Sequence, residues 1–188
     1  MIIWSLFDGS GLMCEPWVSA GPVAYCFNAD GADHGAYRET RVAHENLHYV
    51  DIWIDELFLA KAAAMGIPKP DIIFSFPPCT DIAVSGAAHF AKKLEANPMC
   101  QAIAVTGCRV AASIGDFLQV PYMIENPVSV LSTMWRGPDY TFNPSDYGGY
   151  LPEDDVHPLF PELICPRDAY PKKTCLWTGG GFVIPEKK

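Results

Sequence analysis

The segment Asp71-Ile72-Ile73-Phe74-Ser75, running without a break into Phe76-Pro77-Pro78-Cys79, constrains this chain more than any other. It is almost wholly apolar, as a strand covered on both faces is, and such strands belong to parallel sheets. The rest of the sequence agrees. Short apolar runs alternate with longer helical patterns, the signature of βα units around a mainly parallel sheet. Strands are expected over 2–6, 23–28, 47–52, 71–75 and 122–124, with a last one over 174–177. Helices are expected from Leu12, then through Leu57, Ala60 and Ala64 to a stop at Gly66, and from Asn97-Pro98 through Ile103, Val110, Ile114 and Phe117. Between 125 and 173 the chain reads as proline-rich loop. A length of 188 residues suits one α/β domain, doubly wound and Rossmann-like.

Composition closes off several classes. With 49% hydrophobic and 19% charged residues, disorder is excluded. The net charge of −9 is the wrong sign for a protein that grips duplex phosphates with its whole surface. Nucleic-acid contact then requires a local basic patch, or the substrate is small. No apolar run approaches the roughly 20 residues that span a bilayer. Met1-Ile2-Ile3-Trp4-Ser5 lacks a charged leader and cleavage site, so a cytoplasmic protein without a membrane partner is expected. The seven cysteines are odd in number and none forms a C-x-x-C pair. Neither a disulfide framework nor a metal site is expected, and most of them read as small buried apolar residues.

Ligands of open α/β sheets bind beyond the carboxyl ends of the strands. Four polar clusters fall there: Asp8 to Gly11, Asp30, Asp51, and the pair Cys79 and Glu125. Phe7-x-Gly9-x-Gly11 lets backbone approach a ligand, although glycine turns after strands are mostly structural. Asp30 suits the acceptor of ribose hydroxyl bonds, and equally a turn residue in Asn28-Ala29-Asp30-Gly31. Asp51 is open in the same way. Pro77-Pro78 stiffens the strand exit and aims the Cys79 thiol at the working edge. Glu125 is set at the end of the neighbouring strand, and a partly buried glutamate can donate a proton near neutrality. A thiol and a carboxyl without a histidine suit attack on an electrophilic ring whose nitrogen is protonated at the same moment.

Phe7-x-Gly9-x-Gly11, Pro78-Cys79 with Gly86 seven residues on, Glu125-Asn126-Pro127 and Phe142-Asn143-Pro144-Ser145-Asp146-Tyr147-Gly148 together resemble the DNA (cytosine-5) methyltransferases. The likeness runs from Ile3 to Trp177. It is nearest to short phage and prophage forms that share Pro-Pro-Cys-Thr and Lys-Thr-Cys-Leu-Trp. The resemblance implies S-adenosylmethionine as cofactor, bordered by Phe7, Gly9, Gly11 and Pro78, with Asp30 at the ribose and Asp51 and Ile52 at the adenine. It implies Cys79 as the nucleophile on cytosine C6 and Glu125 as the acid at N3, with Asn126 and Ser85 contacting the substrate. Cytosine in DNA is the implied substrate, and a host cytoplasm the implied location of a phage-encoded form.

The sequence also departs from that family. Tyr170-Pro171-Lys172-Lys173-Thr174 stands where the family has Gln-x-Arg-x-Arg, so Lys172 and Thr174 take the place of the arginines, a point charge for a bidentate fork. No target-recognition domain and no closing C-terminal helix are visible. Residues 149–170 form an insert containing Glu153-Asp154-Asp155, expected as a lid or a partner surface. Two rivals follow. The same chemistry on a free cytidine nucleotide or single-stranded nucleic acid is favoured by the −9 charge. A cofactor-binding subunit or pseudoenzyme that works only with a partner is the other, and a homo-oligomer or a partner subunit is the expected assembly. A zinc deaminase fits poorly, because no second cysteine follows Pro78-Cys79 at the required spacing.

Overall fold

The computed structural model describes residues 1–29, 41–157 and 160–188. Seven strands form one sheet: β1 (Ile2–Leu6), β2 (Val23–Phe27), β3 (Leu47–Val50), β4 (Ile72–Ser75), β5 (Tyr122–Pro127), β6 (Tyr140–Phe142) and β7 (Thr174–Gly179). Their order across the sheet is β3-β2-β1-β4-β5-β7-β6. The first five run parallel, and β7 lies antiparallel between β5 and β6. The order reverses between β1 and β4, the kind of switch point at which open α/β sheets leave a crevice. The doubly wound, Rossmann-like expectation holds.

Strand side chains alternate between two faces. Trp4, Leu6, Phe27, Ile73, Ile124 and Trp177 pack under three helices, α2 (Phe58–Ala64), α4 (Cys100–Leu118) and α5 (Leu131–Met134). Gly115 lets α4 lie directly on β5, since a Cβ there would run into the Tyr122 ring. Ile3, Cys26, Phe74, Met123 and Leu176 face the other way. Among the described residues that second face gains helical cover only from the five-residue α1 (Glu15–Ser19), with Phe182 and Ile184 alongside. One remaining helix, α3 (Phe90–Ala96), follows a 3₁₀ turn over Val84–His89. No helix among the described residues is long and apolar enough to cross a membrane.

Several boundaries differ from the sequence reading. The long helix α4 starts at Cys100 rather than at Asn97-Pro98. Asn97 is held extended (φ −147°, ψ 98°), as a residue before proline is, and its Oδ1 accepts the Met99 N–H at 3.0 Å. Strand β3 ends at Val50, because the Ile52 N–H folds back onto the Val50 carbonyl. Strand β6 was not foreseen. Its three residues carry no readable period, and pairing with β7 is what makes them a strand. The 149–170 insert is irregular. Its flanks are tied to the C-terminal stretch by the Gly149 N–H on the Lys188 carbonyl (2.8 Å) and the Tyr150 hydroxyl on the Glu186 carbonyl (2.9 Å).

Candidate active site

The loop leaving β1 is held by one buried carboxylate. Asp8 Oδ1 accepts the backbone N–H groups of Ser10 (3.0 Å) and Gly11 (2.8 Å), and Oδ2 accepts the Ser5 hydroxyl (2.7 Å). Gly11 adopts φ +74°, and a Cβ there would meet the Tyr49 hydroxyl, so only glycine fits. That hydroxyl sits 2.8 Å from the Ser10 carbonyl, and burial pushes its pKa to about 12, which keeps it a donor. At Gly9 the fit is also close, for a Cβ would approach the Asn28 amide to 3.1 Å and displace it slightly. The structural importance of Asp8 and Asn28 was missed in the sequence, although Asp-Gly-Ser-Gly is a readable turn signal.

The second wall comes from β4. The Phe76 N–H donates to the Leu6 carbonyl (3.0 Å), which keeps the two exit loops side by side. Pro77 is buried, Pro78 exposed and Cys79 half-buried. Beyond them the Cys79 carbonyl accepts the N–H groups of Ile82 (3.0 Å) and Ala83 (2.8 Å), closing a turn that fixes the thiol's backbone.

Glu125 supplies the third wall. Strand alternation puts it on the thinly covered face with Met123, beside Leu176 of β7. Burial pushes its carboxyl above the usual carboxylate range, and the Lys172 ammonium opposes that shift without cancelling it. Phe7, Gly9, Pro78, Cys79 and Glu125 thus line one cavity of about 640 Å³, together with Asp8, Asn28 and Thr80. An apolar slot of about 440 Å³ adjoins it across Phe7, Pro78 and Thr80, walled by Trp53, Ile54 and Ile103.

Other expected residues sit elsewhere. Asn126 points to the opposite face from Glu125, fully buried, and its Nδ2 donates to the Pro77 carbonyl at 3.1 Å. It braces the prolyl-cysteine loop from behind, and its Oδ1 is buried with no hydrogen-bond partner among the described residues. Ser85 is exposed on the 3₁₀ turn and lies outside the cavity wall. Thr174 is buried, with its hydroxyl donating to the Lys172 carbonyl (3.0 Å), so it shapes the approach of Lys172, which is exposed. Asp51 opens onto a separate space of about 70 Å³ with Arg41 and Tyr49, and Ile52 packs against the core. Asp30 lies outside the described residues. Among the described residues none of 149–170 lines this cavity, while Tyr150, Leu151 and Asp168 line a neighbouring groove.

Asp8, Cys14 and Cys26 bring ligand-type atoms within 4.8 Å of one another. Contact with Cys14 and burial push the Cys26 thiol far up, and the Asp8 oxygens are already committed to the loop.

In overall shape the chain matches a protein described as a DNA modification methyltransferase encoded within a prophage of E. coli. The TM-score is 0.54 at 13% sequence identity, over 95% of this chain and 46% of that one. That likeness shows the fold, a doubly wound, Rossmann-like α/β sheet. The chain spans about half the length of that neighbour. Two looser likenesses score 0.41: the MycE methyltransferase of the mycinamycin pathway, solved with Mg and SAH (12% identity, 95% of this chain, 41% of that one), and the epimerase Mth375 of Methanothermobacter thermautotrophicus (11%, 63% and 32%). No protein-family model and no curated protein matches the sequence.

Proposed function

We propose that the protein is an S-adenosylmethionine-dependent methyltransferase that modifies C5 of cytosine in DNA through a covalent adduct on Cys79. What supports this is the convergence of Cys79 and Glu125 on one cavity walled by the glycine loop. The cavity and its apolar slot together have the size of a cofactor site. Gly9 leaves backbone bare where a ligand would lie, and the slot beside Trp53 and Ile103 accepts a flat heterocycle. Phe7, Gly9 and Pro78 border the cofactor in this reading, Gly11 shapes the loop, and Asp30 serves the ribose. Bound there, S-adenosylmethionine supplies a methyl group on a positively charged sulfur. The chain's own residues prepare the acceptor. The Cys79 thiolate forms a bond to C6 as N3 takes the proton from Glu125, which leaves C5 electron-rich. Lys172 holds the base oxygen as a point charge. After methylation C5 gives up its proton to water, the C6–Sγ bond breaks and returns the thiolate, and N3 hands its proton back to Glu125.

The test is trapping with an oligonucleotide that carries 5-fluorocytosine, whose fluorine cannot leave as a proton does. An adduct on Cys79 is expected by mass spectrometry. Cys79→Ser is expected to lose all labelled methyl transfer while calorimetry finds cofactor affinity within about threefold, roughly 0.6 kcal/mol. An adduct on another cysteine, or transfer surviving in Cys79→Ser, rejects the mechanism.

A further inference from the structure

The thinly covered face of the sheet carries a groove of about 780 Å³, floored by Phe74, Met123 and Leu176. It runs into the catalytic cavity, for Met13, Phe76 and Glu125 line both. Its walls are unusually aromatic: Trp17, Phe76, Phe142, Tyr147 and Tyr150 all face it. The Tyr147 and Tyr150 rings lie 6.4 Å apart and nearly parallel, and Lys188 Nζ stands 5.1 Å above Tyr150. Cationic side chains stand at both ends of the groove. Residues 167–188 hold five lysines or arginines against two acids, with Lys187 paired to Asp146 and Asp168 in the groove lining. Lys172 acts on Glu125 at one end of the groove, and Lys188 covers Tyr150 at the other.

Aromatic faces beside a cationic rim fit unpaired nucleotides, whose bases stack and whose phosphates need neutralising. A duplex hides its base faces, and presenting one would cost a few kcal/mol of flipping. Building on the methyltransferase reading, we propose that this groove binds a single-stranded nucleic-acid segment and leads its unpaired cytosine to Glu125 and Cys79. Continuity with the catalytic cavity and the local charge favour a strand over an apolar helix of another protein.

Fluorescence anisotropy with a fluorescein-labelled single strand containing one cytosine, and with the matching duplex, tests this. The strand is expected to bind at least about tenfold more tightly than the duplex. Tyr150→Ala is expected to weaken strand binding about fivefold or more, roughly 1 kcal/mol for one lost stacking partner. Tyr150→Phe keeps the ring, loses only the bond to the Glu186 carbonyl, and should bind as wild type does. Calorimetric affinity for S-adenosylmethionine should be the same in all three. Equal binding of duplex, a Tyr150→Ala effect within twofold, an equal loss in Tyr150→Phe, or a change of mass in sedimentation on Tyr150→Ala would each overturn the groove's assignment. Strand preference in a protein that transfers no methyl group sinks the catalytic reading and leaves the groove standing. Transfer to duplex that ignores Tyr150→Ala does the reverse.

Discussion

The two faces of the sheet solve the same problem in different ways. One face is sealed by α2, α4 and α5, and Ile124, Ile73 and Trp177 beneath them are fully buried. Among the described residues the other has α1, a few C-terminal side chains and a groove, yet its floor residues Phe74, Met123 and Leu176 are buried. A sealed face gives stability. An incompletely sealed one leaves apolar surface close to water, and the catalytic candidates gather along that seam. Glu125 belongs to it because β5 alternates, and Asn126, one residue on, falls behind the wall.

The comparison breaks most sharply at two neighbours in one strand. Ile124→Ala, on the sealed face, should cost about 3–4 kcal/mol, because helices on a close-packed sheet cannot collapse into the void. Met123→Ala, on the groove floor, should cost about half as much, since the space opens into an existing groove. Urea unfolding of both variants measures this, and equal losses would mean that the second face is packed as tightly as the first.

A smaller effect sharpens the role of the seam itself. Asp8→Asn keeps shape but turns an amide N–H toward donors, and should destabilise by about 2–3 kcal/mol. For a chain of this size that is roughly 4–12 °C in Tm by calorimetry. Cofactor affinity should fall with it, because the glycine loop loses its anchor. A loss of stability with cofactor binding intact would separate the anchor from the site.

The smallest effect is one of pH. The Glu125 carboxyl is raised above its ordinary value of 4.5, so the folded state prefers the protonated form. Its contribution is complete below that ordinary value and is lost as pH rises through the raised one. The Tm of wild type minus that of Glu125→Gln should therefore fall as pH rises above that ordinary value of 4.5. Removing the opposing charge with Lys172→Ala should move the fall to higher pH. A difference that grows with pH would show that the carboxylate is stabilised in place.

The parallel strands were legible because a strand buried on both faces has to be apolar throughout, and 72–75 is nearly so. The turn chemistry of Gly11 was legible for a related reason, since close approach and positive φ exclude other residues there. The motif residues Phe7, Pro78, Cys79 and Glu125 were found at strand ends, where the fold does bring them to one cavity. β6 escaped notice, because three residues at an edge owe their conformation to β7 alone. Asn126 and Thr174 each donate a side-chain hydrogen bond to a backbone carbonyl, which no sequence pattern shows.

By itself, then, the sequence determined the element types, the order of βα units and the set of chemically capable side chains at the strand ends. Those depend on local periodicity and on residue chemistry, which a chain carries wherever it folds. Only the tertiary structure decided which of those side chains share a cavity, that Glu125 faces the seam while Asn126 faces away, and that a groove joins the site on the thinly covered face. These depend on which strands become neighbours and on what covers each face. Both are set by contacts between residues far apart in the chain, such as Leu6 beside Ser75 and Glu125 beside Leu176.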